Sequence, residues 1–130
     1  MAKDTTVSER TRAALVIAAD SGLEVDRADA VEWLRTRLAT ARPGRAHVIY
    51  HSVAWQYLPA ARQAEGNALI EAAGARATED APLARLQMEG DGQRDGAALT
   101  LTIWPTGETH VVARTDFHGR WVKWTGWPGL

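Results

Sequence analysis

The sequence predicts an α/β domain with a sheet of about four strands, an antiparallel hairpin near its C-terminal end and three helices. Three observations carry this. His47 to Val53, HVIYHSV, is a bulky strand-like run that leads into an aromatic turn and a helix. After Pro82 the apolar periodicity changes from 3.6 to 2. Ala97 to Trp104 and Thr109 to Thr115 alternate on either side of Pro105-Thr106-Gly107-Glu108, the pattern of a hairpin.

Taken in order, residues 1–7 are expected to form a flexible tail and residues 8–130 a single domain, as the length of 130 residues suggests. Ser8 is the expected cap of a first helix, SERTRAALVIAAD, which ends near Gly22. Asp26 is the expected cap of a second, DRADAVEWLRTRLATA, stopped by Pro43-Gly44. Asp29 and Glu32 early, with Arg35 and Arg37 late, follow the order the helix dipole favours. In the strand that follows, Val48, Tyr50 and Ser52 share one face, and His47, Ile49, His51 and Val53 the other. Both faces are mostly bulky, which predicts a strand covered on both sides. Pro59 opens a third helix, PAARQAEGNALIEAAG, with Ala61, Ala68, Leu69 and Ala72 as its core face and Gly74 as its stop. Leu83 to Met88 is a short strand, GDGQRDG a polar loop, and DFHGRWVKWTGWPGL a final short strand or coil folded back over the sheet.

Composition narrows the function classes. Hydrophobic residues at 45% and charged ones at 24% are ordinary globular values. A net charge of -1 gives no general attraction for nucleic acid or an anionic membrane. No apolar run approaches the roughly 20 residues of a spanning helix, and MAKDTTVSER lacks the apolar core of a signal peptide. A cytoplasmic protein is therefore expected, without nucleic-acid or membrane partners. No cysteine is present, so thiolate chemistry and disulfides are excluded. The unusual feature is six tryptophans against one phenylalanine, and indoles suit half-wet pockets and interfaces as well as cores.

The candidate pocket residues are His51, Trp55, Gln56, His118 and Glu89; no catalytic residue is assigned. His51 and Ser52 are adjacent in a strand and so point to opposite faces, which argues against a nucleophile–base pair, and no G-x-S-x-G elbow surrounds Ser52. Two readings stand for His51, a pocket wall or a core histidine bonded to a backbone carbonyl. Trp55 and Gln56 leave the strand where a doubly wound sheet presents ligands, and an indole beside an amide would suit a planar ring or a sugar. The competing reading packs Trp55 and Tyr57 against the next helix. Glu89 is read as a base or, more simply, a solvated strand-end carboxylate. His47, His51, His110 and His118 show no metal-ligand spacing. Trp121, Trp124 and Trp127, three apart, suggest core or interface packing rather than a nucleic-acid platform.

The stretches VDRADAVEWL…HVIYHSVAWQYLP and LQMEG…LTLTIWPTGETHVVARTDFHGRWVKW resemble the C-terminal half of a bacterial family of uncharacterised proteins, domain of unknown function 2332. The resemblance spans nearly the whole chain from about Ser8 and implies a longer family domain whose N-terminal portion is absent here. More distantly, the order strand, aromatic turn, helix, strand, hairpin is similar to the back half of class I S-adenosylmethionine-dependent methyltransferases. That likeness makes His47 to Val53 the fourth strand, Leu83 to Met88 the fifth, Ala97 to Trp104 the sixth and Thr109 to Thr115 the seventh, inserted between fifth and sixth. The glycine-rich cofactor loop of such enzymes is missing, and Gly90-Asp91-Gly92 opens no helix. The resemblance therefore implies a structural or interaction module with no cofactor of its own, taking S-adenosylmethionine only if a missing half were supplied. The alternative is a small-molecule binder or methyltransferase whose pocket a second chain completes. A strand deprived of its neighbour leaves backbone groups open, so a homodimer through strand 47–53, or a separate chain supplying the N-terminal half, is expected.

Overall fold

Over residues 6–129, which the computed structural model describes, the alternating segments form one five-stranded sheet in the order β1-β2-β3-β4-β5. The strands are β1 (His47–Ser52), β2 (Leu83–Glu89), β3 (Ala97–Trp104), β4 (Glu108–Thr115) and β5 (Val122–Trp124). Three helices, α1 (Val7–Asp20), α2 (Ala30–Arg37) and α3 (Ala60–Ala75), complete the expected α/β fold. β1 and β2 are parallel, joined through α3, and every later pair is antiparallel. The closing segment is a strand, β5, beside β4.

The strand assignment drawn from methyltransferases does not hold. It requires β4 between β2 and β3, whereas β3 lies between β2 and β4. The link between β2 and β3 dictates this: residues 90–96 hold no crossover helix, so the two strands pair as antiparallel neighbours and leave no place for β4 between them.

Helix starts differ from expectation for a local reason. Thr6, not Ser8, caps α1: its hydroxyl accepts from the Glu9 N–H at 3.2 Å while Glu9 Oε2 accepts from the Thr6 N–H at 2.8 Å. Thr6 and Val7 are thus helix cap and first residue, and the remainder of the expected tail lies outside the described residues. α2 is capped by Asp29, whose Oδ1 accepts from the N–H groups of Val31 (3.0 Å) and Glu32 (3.1 Å). Asp26, the expected cap, instead accepts from Trp33 Nε1 at 2.8 Å and Arg37 at 3.0 Å. Asp29→Ala is expected to cost about 1 kcal/mol and Asp26→Ala less, read from urea unfolding midpoints.

The face of α3 turned to the core also differs. Ala61, Ala68 and Ala72 are exposed, and the buried positions are Gly66, Ile70 and Gly74. Gly74 does not stop the helix; it admits the indole of Trp104, since a Cβ there would lie 2.4 Å from Nε1. Gly66 does the same for Trp55, at 2.6 Å from its ring edge. The core, Leu34, Leu38, Ile70, Leu83 and Trp104 with Ile49, Trp55, Ala73 and Ala77 against it, lies between α2, α3 and one face of the sheet.

The other face carries Val48 and Tyr50 from β1, Leu86 and Met88 from β2, and Leu99, Leu101 and Ile103 from β3, by the paired registers. Strand alternation in β1 is as expected, but cover on both sides is not: Val48 is 51% and Tyr50 79% exposed. Both core helices, α2 and α3, sit on the opposite face and leave Val48 and Tyr50 exposed, while Leu86, Met88, Leu99, Leu101 and Ile103 are half-buried. α1 buries none of its residues, and Leu15, Val16 and Ile17 are exposed. Trp121 and Trp124 are exposed too, which corrects the core reading of those positions, while Trp127 meets His110 edge-on at 4.4 Å. Among the described residues no helix is long and apolar enough to cross a membrane.

Candidate functional site

The exit of β1 and the end of β2 converge because the pair is parallel, placing His51 beside Gln87 and the strand's end beside Glu89. Val53, at φ 46°, turns the chain sharply after its N–H bonds to Met88 O at 2.8 Å. The turn aims two successive N–H groups, of Ala54 and Trp55, at Glu89 Oε1, at 3.1 and 3.0 Å. The same oxygen meets His51 Nδ1 at 2.7 Å.

On the other side of the imidazole, Arg85 donates from Nε and Nη2 to His51 Nε2 at 3.2 and 3.1 Å, and from Nη1 to Asn67 Oδ1 at 2.9 Å. The guanidinium lies over the Trp55 ring at 4.6 Å, and the His51 ring stacks on the same indole at 4.9 Å. Trp55 is thus a floor for both. With Nε2 accepting, the imidazole is neutral and carries its proton on Nδ1, which donates to Glu89.

The electrostatics agree with this assignment. Burial holds the His51 pKa below its ordinary value, aided by the Arg85 charge and only partly opposed by Glu89. Burial alone would raise Glu89, but the hydrogen bonds from His51, Trp55 and Ala54 outweigh it and keep the carboxyl ionised below its usual range. Side chains of His51 and Glu89 are only 11% and 16% exposed. Glu89 is therefore not the solvated strand-end carboxylate of the simpler reading. Its second oxygen, Oε2, and the indole N–H of Trp55 are buried with no partner among the described residues.

Of the five expected pocket residues, the fold unites His51, Trp55 and Glu89. Gln56 is exposed in the 3-10 turn Trp55–Tyr57, its Oε1 close to Gly90 from the side that Phe117 also approaches. His118 is exposed on the turn between β4 and β5; its N–H bonds to Asp116 Oδ2 at 2.9 Å and its carbonyl accepts from Arg10. Sequence reasoning missed Arg85 and Asn67. The available signal was positional: in LARLQME, Arg85 falls between Leu83 and Gln87 on one face, a charge at an inward position.

An acid-oriented histidine is half of a general-base arrangement, but the atom that would take a substrate proton, Nε2, is occupied by a guanidinium. In this state the cluster joins two strands, a turn and α3 rather than offering a base. Beside it an apolar cleft of about 170 Å³ runs between α2 and β1, lined by Trp33, Leu34, Ile49, His51, Trp55 and Leu58. A smaller cleft of about 100 Å³ runs beside Trp33, Arg37 and His47 to Tyr50, so open space follows the free side of β1. Among the described residues no group of histidines and carboxylates is placed to hold a metal ion.

The model of a family described as "Uncharacterized protein conserved in bacteria (DUF2332)" matches residues 2–124. No curated protein and no solved structure matches the chain.

Proposed function

Because this chain belongs to a bacterial family of uncharacterized proteins (DUF2332), whose description names no reaction, we propose from its own geometry that it is an interaction module that docks a polypeptide strand along β1. The observation that carries this reading is the state of that strand. β1 pairs on one side only, with β2. In a parallel pair each residue's N–H and C=O point the same way. His47 and Val53 donate toward β2, so the odd-numbered residues face it and Val48, Tyr50 and Ser52 turn their backbone groups outward. No lysine, proline or glycine blunts this border within the strand, and Val48 and Tyr50 present apolar surface along it beside Leu23, Val25 and Trp33, with Glu24, Asp26 and Arg37 at its margin. The occupied Nε2 of His51 favours this reading over a catalytic one.

Hydrogen exchange tests it. The amides of Val48, Tyr50 and Ser52 are expected to be protected in the chain at tens of micromolar or in bacterial extract, and Tyr50→Lys is expected to remove the protection. Exchange at open-strand rates under both conditions would end the proposal.

A second reading has one observation behind it: the cleft of about 170 Å³ at His51 and Trp55 is mostly apolar and of a size for a small ring. Calorimetric titration with S-adenosylmethionine discriminates. The first reading expects no binding heat; saturable heat would favour a binder or a methyltransferase-like role completed by a second chain.

A further inference from the structure

We infer that the strand docked on β1 is β1 of a second copy, running antiparallel about a two-fold axis at Tyr50. This rests on the interaction reading above and names its partner.

The argument begins with symmetry. The three residues with outward backbone groups, Val48, Tyr50 and Ser52, are evenly spaced about Tyr50. Two copies related by a two-fold axis there place Tyr50 opposite Tyr50, and Val48 opposite Ser52 twice. Each of these is a hydrogen-bonded pair that exchanges two bonds, so about six backbone hydrogen bonds form and no outward group of the strand is left over. An axis at Ile49 or His51 instead places inward-pointing groups opposite one another and forms none at the centre.

The side chains suit the same axis. On the bare face, Tyr50 of each copy covers the other, and Val48 packs beside Ser52. On the helix face, Ile49 lies opposite His51, above the clefts that follow β1. Residues Leu23 and Val25, which line the space next to Tyr50 and Trp33, are 67% and 85% exposed and extend the apolar border. The exposed surface of Val48, Tyr50, Trp33, Leu23 and Val25 is on the order of 600 Å², near the roughly 800 Å² per partner of a standard stable interface. No charged side chain of β1 opposes its own copy, since the strand contains none that is ionised at neutral pH in this state. An isologous pair of this kind closes on itself and leaves no second free border at the joint.

The absence of cysteine makes the register testable with one thiol at a time. A Cα separation of about 5.5 Å between opposed hydrogen-bonded residues falls inside the roughly 4.4–6.8 Å range of disulfides. Tyr50→Cys is expected to give a covalent dimer on mild oxidation. Val48→Cys and Ser52→Cys, each opposite itself at roughly 14 Å, should give about ten-fold less alone but cross-link when mixed. Sedimentation of the unmodified chain at tens of micromolar should show a dimer that Tyr50→Lys dissociates, while circular dichroism confirms that each variant is folded.

Equal self-cross-linking by Val48→Cys, or a monomer with no cross-link at Tyr50→Cys, overturns the inference. If the outward amides are then protected only in bacterial extract, a separate chain occupies the border and the interaction reading stands. If they exchange freely there as well, both fall.

Discussion

Gly74→Ala is expected to destabilise the protein by about 2 kcal/mol, although the same change in an exposed helix would stabilise it by about 1 kcal/mol. The sign is decided by Trp104. A Cβ on residue 74 would sit 2.4–2.5 Å from Nε1, Cδ1 and Cε2 of the indole. That ring is 6% exposed and belongs to the core with Leu34, Ile70 and Leu83, so it cannot swing away as a surface side chain would. Overpacking of a filled core costs typically 1–3 kcal/mol, and a contact this short belongs at or beyond the upper end, leaving a net loss after the helix gain. Equilibrium urea unfolding measures it. The mechanism predicts coupling: in Gly74→Ala with Trp104→Leu, the combined loss should fall short of the sum of the two single losses by about 1 kcal/mol or more. A stabilised single variant would show that the helix does not need to approach this ring so closely.

Glu89→Ala is expected to cost about 2–4 kcal/mol, because it leaves His51 Nδ1 and the Trp55 N–H without an acceptor in a half-buried site and loosens the Ala54 N–H as well. Glu89→Gln keeps an acceptor oxygen and should cost about 1 kcal/mol. The pH dependence separates the two titrating groups. His51 folds with its pKa below the ordinary 6.5, so the unfolded chain binds the proton more readily and stability falls as the pH drops below about 6.5. Glu89 folds with its pKa below 4.5, so its contribution is complete above that value and is lost as the pH falls through the folded pKa. Both act in the same direction, towards acid lability. Glu89→Gln should remove the lower step and leave the upper one, measured as urea midpoints from pH 7.5 down to about pH 2. If the variant and the parent lose stability in parallel throughout, Glu89 is not the group titrating in the lower step.

The parts of the fold that could be read from residues alone are those governed by local chemistry. The hairpin of β3 and β4 was readable because alternation and a Pro-Thr-Gly-Glu turn specify it within some twenty residues. The division of β1 into two faces followed from the period of a strand, and with it the separation of His51 from Ser52. Asp29 rather than Asp26 as the α2 cap could not be read, since both are aspartates one turn apart and the choice depends on Trp33 and Arg37 claiming Asp26. The buried face of α3 was misread because it is made of glycines, whose value lies in the indoles they admit, not in any apolar side chain of their own. His51 and Trp55 were legible as parts of one aromatic-polar run, but Glu89 stood apart as a strand-end carboxylate and Arg85 and Asn67 were not legible, because only the parallel register of β1 on β2 and the closeness of α3 bring them to the imidazole.

The link from β1 through α3 to β2 has one further consequence. A connection between adjacent parallel strands is right-handed in nearly all proteins, because the twist of the strands lets the intervening helix lie back on only one side. Chirality, rather than any difference in greasiness between the two sides, thus decides where α3 goes, and α2 packs beside it. The later strands follow one another as a meander and never cross over, so they carry no helix to the reverse side. Val48 and Tyr50 are left in the open on the side that a crossover of the usual hand does not reach, on a surface whose composition would have suited a lining of helices equally well.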